Sequence, residues 1–557
     1  MNTDVRQFIS EQSRLKLYLI MAFASLILLF HCIGQIKPVI VEPTDLFGLA
    51  SQLTLSYWVG LCVILLCSIF AFLDREHRSD ALFIFLLVVI GLFLFGIAIF
   101  SEECPRDYGN YYPSAEALNV IQSHHVNVSE IIPMYNSWPA TQLMGASVLE
   151  VTGIDLYEFI RYFPLFWVFC FICITYSIGK RLKLPSNLPF LLSLFILSSY
   201  WLMWYRYDPP SIAVLLYLLC FMLLIRLGNT TAELILVILT FSGLIITHSI
   251  TSLAILLPLV SLSIYRKQLK LIPLFIILFL SWYMFLAMGM FEKGVSDWWS
   301  APWRQMFLMT QQVEKIGAIA TPQRMISRYS MLAYLGLYGV AVIAALVFLR
   351  INKVKLAENK YIMPCIFWAG GVIGLSIAVP SGGAFTTDVL HRIYLYGLIP
   401  AACIILLGLR NRKLLVTLAI LFIALHLPAH YGPEAAYGQV PTTELRGAEF
   451  FALRVKPKEP YFYNGSDITK LVYYYDPKLV SIPLYSPEQS FISPNKVDTE
   501  IMKKVTYILN GKLGTNRMIW AYGHDPLEEW LNTEAGAEFA PIYDNVDYQI
   551  YINNRIQ

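Results

Sequence analysis

The chain has 557 residues, of which 57% are hydrophobic and only 14% charged, with a mean hydropathy of +0.58 and a formal net charge of +3. Such a composition excludes a soluble globular protein and points to a polytopic membrane protein. The small net charge, with no basic tract and no Gly-rich phosphate loop, excludes nucleic acid as a partner.

Crossing a hydrocarbon core of about 30 Å takes a helix of about 20 mostly apolar residues. Segments of that kind fall at 17–36, 54–73, 81–100, 162–179, 187–203, 211–227, 232–247, 250–265, 271–291, 331–349, 361–380, 393–409 and 414–428, about thirteen spans in all. The first run is too long for a signal peptide and lacks a small-residue cleavage site, so it reads as a retained anchor. Cys170 and Cys173 form a CxxC inside FPLFWVFCFICITY, where small packing residues are the reading, since redox or metal chemistry needs polar access.

Basic residues in short loops set orientation. DREHRSD (74–80), KRLK (180–183), YRKQLK (265–270), RINKVK (350–355) and RNRK (410–413) alternate with less basic loops, and Arg14, Lys16 and Arg226 follow the same pattern. These loops are expected at the cytoplasm, which sends 37–53, 101–161, 204–210, the tight turn near His248, 292–330, 381–392 and everything after about 428 outside. Asn127 and Asn464 then become usable glycosylation acceptors, and Asn229 does not.

Residues 101–161 form the first long outer loop. Within it, YYPSAEALNVIQSHH and YNSWPATQLMGASVLEVTGID each fit an amphipathic helix, the second starting at Trp138 and Pro139, and the pair would lie as an interfacial shelf. From about 431 to 557 the chain turns Tyr-rich, with YFYNGSD, YYYDPKLVSIPLY and FAPIYDNVDYQIYI reading as strands and EIMKKVTYILNGK and DPLEEWLNTE as helices. The expected fold is therefore mainly α: a transmembrane helical bundle over 1–430 and a small extracytoplasmic α/β domain over 431–557.

The spacing Asp107, Tyr111, Ala115 resembles the Asp-Glu-x-x-Tyr/Phe-x-x-x-Ala pattern opening the first outer loop of GT-C glycosyltransferases, notably protein O-mannosyltransferases and the lipid A aminoarabinose transferase. NSWPATQLMGA, RYDPPSIAVLLYLL, THSITSL and HRIYLYGLIP are similar to further segments of that superfamily, especially its archaeal members, and together span some 400 residues loosely. Two departures stand out: Tyr108 replaces the family's Glu, and Ala140 a usual Gly. The resemblance implies that Asp107 is the catalytic carboxylate and that the donor is a sugar on polyprenyl or dolichyl phosphate. The acceptor would be a protein, lipid or glycan at the outer face.

The chemistry asks for the same groups. A carboxylate takes the acceptor's hydroxyl proton while the lipid phosphate leaves, and Arg forks suit that phosphate. Asp107, with Glu102 and Glu103 as rivals, is the candidate base. Arg106, Tyr111, Trp138, Arg206, His248, Arg304, Arg328, His391, Arg392 and Tyr394 are the candidate substrate contacts. The bland readings are a salt bridge from Asp107 to Arg106, a helix-end hydrogen bond for His248, and interfacial anchoring for Arg392 and the tryptophans of DWWSAPWR. The sequence specifies no cofactor; Glu102, Glu103 and Asp107 are hard ligands that could take a divalent cation. The motif WWDYG and the acidic Asp-x-Asp site of oligosaccharyltransferases are absent, IWAYGHD being a superficial echo. A transporter of lipid-linked sugars and an inactive GT-C-like binding protein remain as alternatives.

Overall fold

The computed structural model describes residues 3–42, 45–74, 79–126, 134–185, 187–199, 206–225, 230–288, 322–352, 361–378, 386–409, 411–431, 438–455, 461–463, 468–475, 492–493, 496–497, 502, 505–512, 514–515, 524–533, 536–545 and 547–555. Each of the expected apolar segments overlaps a helix among the described residues. In chain order these are α1 (Thr3–Ile36), α2 (Leu55–Leu73) and α3 (Asp80–Ser101), then, past the first long loop, α6 (Leu156–Arg181), α7 (Leu188–Leu197) and α8 (Pro209–Leu224). There follow α9 (Thr231–Thr247), α10 (Ser249–Tyr265), α11 (Leu271–Leu286), α12 (Pro322–Ile351), α13 (Ile362–Ala378), α14 (Thr386–Gly408) and α15 (Arg412–His430). Within the loop, α4 (Tyr111–Ser123) and α5 (Ala140–Thr152) are the two expected amphipathic helices, packed on each other.

Five described helices, within α1, α2, α3, α6 and α12, are long and apolar enough to cross a bilayer, and the chain is an integral membrane protein. Ile20 and Ile27 on α1 and Val340 and Ile343 on α12 are large apolar side chains left exposed, as lipid-facing positions are. Small residues bring helices close where the bundle is tightest: a Cβ on Gly371 of α13 would sit 2.5 Å from the Pro258 backbone of α10. A π-helical turn at Leu92–Gly96 widens α3, and the Phe93 carbonyl accepts from Tyr57 Oη at 2.9 Å and Tyr431 Oη at 2.6 Å.

Charged groups sort to the two ends of the bundle. At one end Arg14 meets Asp74 at 3.3 Å, Lys180 meets Asp80 at 2.8 Å, and Arg181 meets Glu233 at 3.1 Å. Asp74, Asp80, Lys180 and Arg181 belong to the expected basic loops. The opposite end holds residues 101–110, 206–208 and 438–444.

Beyond α15 comes a smaller layer. Helix α16 (Thr442–Arg454) and helix α17 (Ile468–Tyr475) pack together, and α17 also packs on α4. A four-stranded sheet runs in the order β1 (Tyr461–Tyr463), β4 (Tyr507–Gly511), β6 (Tyr548–Asn553), β5 (Phe539–Asp544). β1 is parallel to β4 and the other neighbours are antiparallel, with Leu509 opposite Ile550. Strands β2 (Ile492–Ser493) and β3 (Lys496–Val497) form a separate pair, and α18 (Pro526–Leu531) covers a core of Phe462, Ile508, Trp530 and Phe539. One expectation is corrected here. EIMKKVTYILNGK read as a helix, yet its Tyr507–Gly511 part is a central strand, because pairing on both edges and burial of Ile508 and Leu509 override the Lys/Met-rich local preference. Tyr473, Tyr474 and Tyr475, the first three residues of YYYDPKLVSIPLY and expected in a strand, end helix α17, and residues 476–491 lie outside the described ones.

Candidate active site at the end of the third helix

The site is built where α3 ends. Glu102 leaves helical geometry, and after Pro105 the chain makes a short 3-10 turn, Tyr108–Asn110, that leads into α4. Asp107 caps that turn: its Oδ1 accepts from Gly109 N at 2.8 Å, and its own N–H donates to the Gly438 carbonyl at 2.8 Å. It does so at φ +72° and ψ 117°, a conformation costing a non-glycine residue roughly 1–3 kcal/mol, so its neighbours must hold it there.

The remaining carboxylate oxygen of Asp107 faces Arg206, whose Nη1 pairs with Oδ2 while its Nε pairs with Asp208 Oδ2 at 2.5 Å. Asp208 caps α8 by accepting from Ser211 N at 2.8 Å, with Pro209 at the first helical position. Burial opposes the charge on the Arg206 guanidinium, but Asp107 and Asp208 outweigh it and raise its pKa further. The side chain of Asp107 stays 34% exposed where Asp208 is 5% exposed, so the first of these carboxylates is the one a reactant can reach. Asn110 links the same two segments, donating to the Arg106 carbonyl and accepting from Tyr207 N at 2.6 Å. Tyr207 Oη in turn donates to the Thr141 carbonyl of α5 at 2.6 Å.

Behind this runs a second, buried acid. Glu102 pairs with Arg106 at 2.9 Å and accepts from Gln439 Nε2 at 3.3 Å. Burial still wins and pushes its pKa up to about 7, against the lowering influence of Arg106 and Gln439. Arg106 thus joins Glu102 rather than the adjacent Asp107. Glu103 is exposed and accepts from Thr442 N at 3.3 Å. The three carboxylates turn to three different partners, and among the described residues no group of three or more His, Cys, Asp or Glu is placed to hold a metal ion.

Tyr111 is fully buried, donates to the Pro105 carbonyl at 3.1 Å and meets Tyr474 edge-on. His248 separates α9 from α10 and caps the latter, its Nδ1 accepting from Thr251 N at 3.2 Å, the helix-end role. Trp138 is buried beside Tyr283, with ring centroids 5.9 Å apart. Arg304, Asn127, Asn229 and Asn464 lie outside the described residues, and Arg328, His391, Arg392 and Tyr394 lie on helices without described side chains. The sequence reading named Tyr108 only as a departure from the family pattern and did not single out Asn110, Tyr207, Asp208, Gln439 or Glu444. Of the latter five, Asp208 carried a local signal, an Asp directly before Pro-Pro at a helix start.

No family model and no curated protein matches the chain. Among solved structures it is similar to ArnT from Cupriavidus metallidurans bound to undecaprenyl phosphate, with 11% identity, TM-score 0.40, and coverage of 85% of this chain and 98% of that one. The apo state of the same protein gives 11% identity and TM-score 0.38 over the same shares. It is also similar to the arabinofuranosyltransferase AftD from Mycobacteria, with 12% identity and TM-score 0.43, covering 86% of this chain and 42% of that one.

Proposed function

We propose that this chain is a membrane glycosyltransferase that moves a sugar from a polyprenyl- or dolichyl-phosphate donor to an acceptor hydroxyl at the outer face, with inversion. The observation that carries the reading is the pair Asp107 and Arg206, a reachable carboxylate and a guanidinium held together at the end of an apolar span. The resemblance of Asp107, Tyr111 and Ala115 to the GT-C motif supports it from the sequence side. In this reading residues 1–430 form the membrane domain and 431–557 an extracytoplasmic domain, with the basic loops at the cytoplasm.

Asp107 takes the acceptor's hydroxyl proton as that oxygen bonds to the anomeric carbon. The bond from that carbon to the phosphate oxygen breaks on the opposite face, and the lipid phosphate leaves with the electron pair. Arg206 can turn one of its N–H groups from Asp107 to the phosphate while Asp208 keeps its Nε in place. Donor binding would then free the base it needs. Arg392, Arg304 and Arg328 are further candidates for the phosphate. Incubating purified protein in liposomes with a panel of polyprenyl-phosphate sugars and acceptors tests the proposal through release of polyprenyl phosphate. No release from any donor would leave the transporter or the inactive relative.

A further inference from the structure

The strand of chain that leads from the membrane helices into the C-terminal layer passes directly behind Asp107. Gly438 accepts from Asp107 N, Gln439 donates to Glu102, and Thr442 N donates to Glu103. Tyr108, the residue after the candidate base, is 2% exposed, and its hydroxyl donates to Glu444 Oε2 at 2.7 Å; Glu444 is fully buried. A carboxylate there gains from the first turn of the 13-residue helix α16. The same helix is fastened to the β5–β6 hairpin, since Asn545 Nδ2 donates to the Thr443 carbonyl at 2.6 Å and Thr443 Oγ1 donates to Asp547. A continuous hydrogen-bonded path therefore runs from the C-terminal hairpin through α16 and Tyr108 to Asp107.

We propose that Tyr108 and Glu444 are a positioning pair by which the C-terminal layer sets the carboxylate of Asp107 toward Arg206 and the reactants. Asp107 adopts a backbone conformation that favours glycine, so it needs an anchor on each side. Gly438 supplies one through the Asp107 amide, and Tyr108 supplies the next along the chain. An apolar side chain at 108 would fill the same space but would leave the buried Glu444 oxygen without this donor. The layer after residue 431 is on this account part of the catalytic apparatus.

The inference rests on the transferase reading, and the test separates the two. In the liposome assay, Tyr108→Phe and Glu444→Ala each lower kcat about 10-fold with the donor KM unchanged, and the double variant loses no more than either single one. Glu444→Gln, which keeps an acceptor oxygen, retains most of the activity. The acidic limb of the pH–rate profile moves in Tyr108→Phe, a change that a fall in the amount of folded protein would not produce. A kcat and pH limb equal to those of the wild type in Tyr108→Phe would overturn the pair while leaving the transferase standing. Amide hydrogen exchange over 102–111 reads the clamp without activity: faster exchange in Tyr108→Phe than in the wild type supports it, and unchanged exchange overturns it even if no donor is ever turned over.

Discussion

Asp107 and Arg206, 99 residues apart in sequence, form an ion pair at the end of the third helix, with Asp208 gripping the guanidinium from the other side. Arg206 is therefore shared between a partly exposed acid and a buried one. Removing the arginine strands Asp208, and a buried charge that loses its partner costs about 3 kcal/mol. Arg206→Ala should lower the thermal midpoint more than Asp107→Asn, and adding Asp208→Asn to Arg206→Ala should recover part of the loss. Thermal unfolding in detergent followed by circular dichroism measures both.

Close packing around the same guanidinium gives a second expectation. A Cβ at Gly109 would lie 2.5 Å from Arg206 Cζ. The guanidinium cannot simply swing away, since two carboxylates hold it. Gly109→Ala should destabilise by roughly 1–3 kcal/mol and should weaken donor binding, raising KM in the release assay. A variant with wild-type KM and stability would show that Arg206 moves freely.

The buried Glu102 predicts a pH dependence of stability. Its pKa is pushed up by burial from an ordinary 4.5 to about 7 in the folded protein, so the fold prefers the protonated acid. The associated stability is fully present below about pH 4.5 and is lost as pH rises through about 7, a span worth on the order of 3 kcal/mol. Glu102→Gln should flatten that slope and be the more stable protein at pH 8. Denaturation midpoints at pH 5 and pH 8 for both proteins decide it; parallel slopes would mean that Glu102 stays ionised beside Arg106.

Much of the helical architecture was legible because long apolar runs between basic loops admit few alternatives, and every expected run overlaps a helix among the described residues. The two loop helices were readable for a similar reason, from their spacing of apolar residues and from Trp138-Pro139 at the start of the second. The strand Tyr507–Gly511 was not readable, since its place in the centre of a sheet depends on partners at 461–463 and 548–552. The site divides along the same line. Asp107 was singled out by a spacing motif within one loop and Arg206 stood among the candidate contacts, but the residues that brace the turn, at 438, 439 and 444, are distant in sequence and ordinary in local context. Arg106 was the natural partner for Asp107 by adjacency; the turn at 107 instead aims the two side chains at different neighbours.

The central claim is that Asp107 acts as a base toward an acceptor at the membrane surface. Its most direct measurement compares wild type and Asp107→Asn, both folded and reconstituted in liposomes, for release of polyprenyl phosphate from a polyprenyl-phosphate sugar in the presence of acceptor. The account predicts release by the wild type and a fall of roughly 100-fold or more in the variant, with donor binding kept. Equal release by the two proteins would contradict it.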